Sequence, residues 1–154
     1  MKKKIDALSK MIGNTPLLAI KIKYKEMLQT IYAKAEYYNL TGSIKDRMAY
    51  KIITSAYESG ELKEGDTVVE ATSGNTGISF SAICSFFGNP VKIFMPNWMS
   101  EERKKLITSF GAEIVLVSKE EGGFLGSISR AEEMGKLPNV FLPRQFSNDA
   151  NTLC

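Results

Sequence analysis

Thr67-Val-Val-Glu-Ala71, running into Thr72-Ser-Gly-Asn-Thr-Gly77 and an apolar stretch that ends at Gly88, is a β-branched run, a glycine-punctuated turn and then a helix. That order is the opening of a βαβ unit, and it recurs downstream. Val91-Lys-Ile-Phe-Met95 reads as the next strand, closed by Pro96. Ser100 to Phe110 reads as a helix stopped by Gly111, which supplies the left-handed conformation that helix ends prefer. Glu113 to Val117 alternates like a strand, residues 124–136 read as a helix, and Val140-Phe-Leu142 as a further strand. Strands separated by helices pair in parallel, so the expected class is α/β: an open, mostly parallel twisted sheet with flanking helices.

Working outward from there, Ile44, Met48, Ala49, Ile52, Ile53 and Ala56 recur at helical spacing, with Ser43 placed to cap the start and Gly60 just past the end. Further upstream, Leu17 to Tyr24 and Thr30 to Tyr37 read as two strands joined by a polar turn. No internal repeat or low-complexity segment interrupts the pattern.

The chain has 154 residues and is 44% hydrophobic, enough for one compact core. With 10% aromatic and 24% charged residues it is not of disordered composition. The net charge of +3 comes partly from Lys2, Lys3 and Lys4, and elsewhere basic and acidic residues are interleaved. That excludes a phosphate-tracking stripe, so no nucleic-acid partner is expected. Histidine is absent, which removes Ser-His-Asp and Cys-His catalysis and every histidine-containing metal site; no metal is expected. Cys84 and Cys154 lie far apart in no Cys-x-x-Cys unit, which suits a reducing, cytoplasmic compartment. Cys84 sits in an apolar stretch and reads as a small buried thiol. Ile78 to Phe87 is too short and serine-rich to span a bilayer. Asp6, Ser9 and Lys10 interrupt what would be a signal-peptide core after the basic start.

Two segments carry chemistry. Asn39-Leu-Thr-Gly-Ser-Ile-Lys-Asp-Arg47 is a turn entering a helix with Lys45 in its first turn. The positive end of the helix dipole disfavours a cation there, which would make the amine a better nucleophile toward an aldehyde. The plainer reading is a surface lysine whose neighbour Asp46 satisfies the dipole. In Glu70-Ala-Thr-Ser-Gly-Asn-Thr-Gly77, free backbone N–H groups and the hydroxyls of Thr72, Ser73 and Thr76 form an anion cradle for a phosphate or a carboxylate. The alternative is a βα turn capped by Ser or Asn. The segment is neither a Walker A loop nor a Gly-x-Gly-x-x-Gly fingerprint. Glu121-Gly-Gly-Phe-Leu-Gly126 reads as a turn before a helix.

Asn14-Thr-Pro-Leu17, Gly42-Ser-Ile-Lys-Asp-Arg47, Thr72-Ser-Gly-Asn-Thr-Gly77 and Gln145-Phe-Ser-Asn148 occur in that order over essentially the entire chain. Together they resemble the cysteine synthase (O-acetylserine sulfhydrylase) and cystathionine β-synthase family of fold-type-II pyridoxal 5'-phosphate (PLP) enzymes. The resemblance implies PLP as cofactor, with Lys45 linked covalently to its aldehyde and later moving the substrate's α-proton. It implies that Asn75 hydrogen-bonds the cofactor's 3-hydroxyl. Thr72, Ser73, Thr76 and Gln145 would bind the substrate's α-carboxylate. The implied reaction is β-replacement or β-elimination on a small amino acid, with sulfide or a thiol as second reactant: cysteine synthesis from O-acetylserine and sulfide in the first instance. The implied assembly is a homodimer. By the same resemblance, residues 41–145 form a small mobile domain, residues 1–40 belong to a large PLP-binding domain, and residues 146–154 begin the return to it.

Two departures qualify the match. Thr41 stands where the family commonly has glycine in the loop before the lysine, which alters the backbone freedom there or brings a hydroxyl into the site. A cysteine-consuming variant that releases sulfide and forms serine or lanthionine is therefore a second expectation. Family members also continue for about as many residues again, so the chain reads as an N-terminal half. A non-catalytic domain that binds a partner or a carboxylate is the remaining alternative.

Overall fold

A computed structural model describes residues 1–152; Leu153 and Cys154 lie outside the described residues, and with them the expectation attached to Cys154. The chain opens with α1 (Lys2–Leu8) and a 3-10 turn (Ser9–Met11), then β1 (Leu17–Tyr24) and β2 (Met27–Lys34), and a second 3-10 turn (Glu36–Tyr38). The remainder runs α2 (Lys45–Ser59), β3 (Thr67–Ala71), α3 (Asn75–Phe87), β4 (Val91–Pro96), α4 (Glu101–Ser109), β5 (Glu113–Val117), α5 (Gly123–Met134), β6 (Val140–Phe141) and a last 3-10 turn (Asp149–Asn151).

β3 to β6 form a four-stranded sheet in the order β5-β4-β3-β6, every neighbouring pair parallel. Period-two alternation along β3 sends Val68 to one face and Val69 and Ala71 to the other. Val68, Ile93 and Met95 pack with Met48, Ile52 and Ile53 of α2, Phe80, Ile83 and Phe87 of α3, and Ile107 of α4. On the opposite face Val69, Ala71, Phe94 and Val117 meet Ala131 of α5. Phe80 and Phe87 are wholly buried, each stabilising the fold by roughly 1.5–3 kcal/mol of transfer free energy. Helices thus cover both faces, as the expected fold class requires. Helices α2 and α3 end on Gly60 and Gly88, both left-handed at φ 82° and 90°.

β1 and β2 make a separate antiparallel hairpin with Tyr24 opposite Met27. Its two turn residues, Lys25 and Glu26, both have positive φ, the geometry of a primed turn that follows strand twist. The second strand therefore starts at Met27 and ends at Lys34, not Thr30 to Tyr37 as the sequence suggested. The hairpin leaves Leu17, Ile20, Leu28, Ile31 and Tyr32 exposed. By contrast, Leu8 and Ile12 are buried in the same cluster as Met48 and Ile83, and the Tyr50 hydroxyl donates to the Ile5 carbonyl at 3.2 Å. Helix α1 was not expected from the sequence.

Three smaller expectations shift. Helix α2 begins at Lys45, preceded by Ile44, and the Ser43 hydroxyl accepts from the Lys45 N–H at 3.2 Å one residue outside the capping position. Ile44 is exposed and not part of the buried stripe. Helix α5 ends at Met134, two residues short of the expected end. No helix among the described residues is long and apolar enough to cross a membrane.

Candidate active site

The strand-to-helix turn after β3 and the start of α2 come together at one end of the sheet. Lys45, Thr72, Ser73, Asn75, Thr76 and Gln145 all line one open cavity of about 300 Å³, joined there by Gly74, Arg103, Phe124 and Phe146. The six residues singled out in the sequence are thus neighbours, although Lys45 and Gln145 are separated by most of the chain. Sequence reasoning missed Arg103, Phe124 and Phe146; the charged run Glu101-Glu-Arg-Lys-Lys105 reads as a solvated helix face and gives no local signal.

The turn is held from behind. Thr72 and Thr76 are 4% and 5% exposed, and Gln145 6%. The Thr76 hydroxyl donates to Gln145 Oε1 at 2.8 Å, and Gln145 Nε2 donates to the Ala71 carbonyl at 3.3 Å. Gly74 N–H donates to Thr72 Oγ1 at 3.3 Å, folding the turn on itself. Gly77 permits the close approach of α3: a Cβ there would lie 2.7 Å from Thr72 Cγ2 and 3.2 Å from Ile107 Cδ1.

Glu70 sits behind Gln145. One carboxyl oxygen accepts from the Ala71 N–H at 2.9 Å and the other from the Gln145 N–H at 3.3 Å. Burial pushes this carboxyl up to about 7, against the pull of those two N–H groups.

The loop that carries Lys45 is fixed by two carboxylates, one buried and one partly exposed. Asp46, fully buried, accepts from the Thr41 N–H at 2.7 Å, the Thr41 hydroxyl at 2.5 Å and the Ser79 hydroxyl at 2.6 Å. Thr41 therefore turns its hydroxyl toward Asp46 and α3, and does not line the cavity. Glu36 receives Arg47 through Nε at 2.8 Å and Nη2 at 3.0 Å, Thr15 Oγ1 at 2.6 Å and Asn39 Nδ2 at 2.8 Å. The Arg47 hydrogen bond, helped by Thr15 and Asn39, holds Glu36 at about 2. Asn39 Oδ1 accepts from the Gly13 N–H at 2.8 Å, tying the segment before β1 to the same network. Cys84 is buried on α3 and burial pushes its thiol up, so it is inert packing.

These residues fit the aldehyde end of PLP. The Lys45 side chain is exposed to the cavity and makes no hydrogen bond or ion pair among the described residues, leaving a primary amine for a carbonyl carbon. The Asn75 side chain is likewise exposed at the cavity wall, and an amide there suits a ring hydroxyl.

A family model described as pyridoxal-phosphate dependent enzyme matches residues 8–154. The cysteine synthase of Staphylococcus aureus is 39% identical over 150 residues, 97% of this chain and 48% of that protein. The probable cysteine synthase of Bacillus subtilis is 41% identical over 92% of this chain and 45% of its own length. The crystal structure of a hydrogen sulfide-producing enzyme from Fusobacterium nucleatum superposes with a TM-score of 0.95 at 55% identity, covering 99% of this chain and 46% of that one. The chain spans about half the length of the curated relatives it matches.

Proposed function

This chain belongs to the pyridoxal-phosphate dependent enzyme family, and on that premise we propose that it supplies the lysine and the substrate-carboxylate site of an enzyme acting at the β-carbon of a small amino acid. The observation that carries the reading is the convergence of the unpaired Lys45 amine, the Asn75 amide and the Thr72–Thr76 turn on one cavity.

PLP, when bound, supplies an aldehyde and an electron-withdrawing ring that stabilises negative charge at the substrate α-carbon. Lys45 Nζ would hold the cofactor at its aldehyde and, as a free amine, would be the base for the substrate's α-proton. Asn75 would hold the cofactor through its ring hydroxyl. Thr72, Ser73 and Thr76 receive the α-carboxylate, with Gln145 adding its side-chain amide. The buried Thr76–Gln145 and Glu70–Gln145 bonds keep those donors in place before substrate arrives, which lowers the ordering cost of binding.

Sulfide release from cysteine is the direction favoured by the 55% identity to the hydrogen sulfide-producing enzyme. Cysteine synthesis from O-acetylserine and sulfide is the second reading, favoured by the cysteine synthases at 39% and 41% identity. We further propose that residues 41–145 act as a small domain closing over the carboxylate, with residues 1–40 and 146 onward docking to a larger body through the exposed hairpin face. A cytoplasmic homodimer completes the reading. The test is to give the protein, in its natural full length and loaded with PLP, cysteine or O-acetylserine plus sulfide separately. Release of sulfide from cysteine supports the first direction and uptake of sulfide the second. Neither, with PLP bound, contradicts both.

A further inference from the structure

Arg103 is the one charged residue besides Lys45 among those lining the cavity, and no acidic residue lines it among the described residues. Its side chain is exposed and makes no hydrogen bond or ion pair among the described residues. It does not serve its own helix either, since a cation in the first turn of α4 is opposed by the helix dipole. The next residue behaves differently: Lys104 pairs with Glu101 at 2.8 Å and also donates to the Asn97 carbonyl at 2.9 Å. The guanidinium leans over the turn, its Nε 4.0 Å from where a Cβ on Gly74 would stand.

The α-carboxylate is already provided for by Thr72, Ser73, Thr76 and Gln145, and Lys45 is committed to the aldehyde. One positive group with a planar donor fork is left over in the same cavity, over the Gly74 turn. A guanidinium in that position matches a carboxylate in two parallel hydrogen bonds. We propose that Arg103 is a specificity-determining residue that binds a second carboxylate, carried on the group that joins or leaves the substrate's β-carbon. The site would then favour thiol-bearing carboxylic acids as second reactants over bare sulfide or water. This inference rests on the substrate-carboxylate site proposed above, but its test does not require turnover.

The test is calorimetric titration of the full-length protein, free of cofactor, with S-carboxymethylcysteine and with its neutral isostere S-carbamoylmethylcysteine. The two differ only in the second carboxylate. The expected result is about tenfold tighter binding of the carboxymethyl compound, the scale of one charge-assisted hydrogen-bonded pair. That ratio should fall to about one in Arg103→Met and be partly kept in Arg103→Lys, with circular dichroism confirming an unchanged fold. Equal affinities in the unmodified protein, or a ratio that survives Arg103→Met, would overturn the proposal. So would a ratio abolished by Lys45→Ala and untouched at Arg103. Failure of the PLP reading is seen separately, as absence of a cofactor label on Lys45 while the Arg103-dependent ratio persists.

Discussion

The Thr76 hydroxyl donates to Gln145 Oε1 at 2.8 Å, both side chains buried, and so ties the first turn of α3 to the segment after β6 across 69 positions of sequence. The bond joins two distant motifs into one unit at the cavity wall. Thr76→Val keeps the side-chain shape and removes the donor, leaving the Gln145 oxygen unpaired. The expected cost is about 1–3 kcal/mol in urea unfolding, with Thr76→Ser close to the unmodified protein. Weaker amino-acid binding in the valine variant, by titration calorimetry, should accompany the loss.

Thr41 is the departure from the family loop, and its hydroxyl lies 2.5 Å from Asp46 Oδ1, on the same oxygen that Ser79 reaches at 2.6 Å. It works as a tether for the lysine loop. Thr41→Val should destabilise by about 1–3 kcal/mol, because a buried carboxylate loses a donor. Thermal unfolding measures it, and a variant as stable as the parent contradicts the tether.

A Cβ at Gly77 would overlap Thr72 Cγ2 at 2.7 Å and crowd Ile107 Cδ1 at 3.2 Å. Gly77→Ala should cost about 1–3 kcal/mol through overpacking. Because Thr72 must move to admit the methyl group, amino-acid binding should fall as well. Stability lost with binding intact would mean that Thr72 does not touch the ligand.

Glu36 and Glu70 set opposite pH limbs. Glu36, held at about 2 by Arg47, contributes stability that is present above its ordinary 4.5 and lost as pH falls through about 2. Partial exposure of the Arg47–Glu36 pair limits this to about 1–2 kcal/mol. Glu70, raised to about 7 by burial, contributes stability that is fully present below 4.5 and lost as pH rises through about 7, at most about 3 kcal/mol. Urea midpoints measured against pH should show both limbs. Glu36→Gln should flatten the acid limb and Glu70→Gln the one between 4.5 and 7; an unchanged slope in either window removes the corresponding group from the account.

How much of this was legible beforehand follows from where each signal lives. β1, β3 and β5 were readable to the residue, because their alternation or β-branched runs are local and bounded by turn residues. β2 was misplaced because Lys25-Glu26 adopts a primed turn without the Asn or Gly that normally announces one. Helix α1 was hidden in a basic start with little apolar periodicity, and only its packing of Leu8 against the core explains it. Six residues of the cavity were visible as motifs in a fixed order. Arg103 was not, since an arginine amid glutamates and lysines acquires meaning only when the fold sets it on the cavity that Lys45 also lines. Glu70 was equally opaque: a charged residue in a strand gives no sign that both its oxygens are claimed by backbone N–H groups.

The most direct test of the central claim is borohydride reduction of the full-length protein mixed with PLP, followed by intact mass and peptide mapping. A single pyridoxyl label on Lys45, lost in Lys45→Ala, is the predicted result. Label scattered over surface lysines, or a single label elsewhere than Lys45, would contradict the assignment of the site.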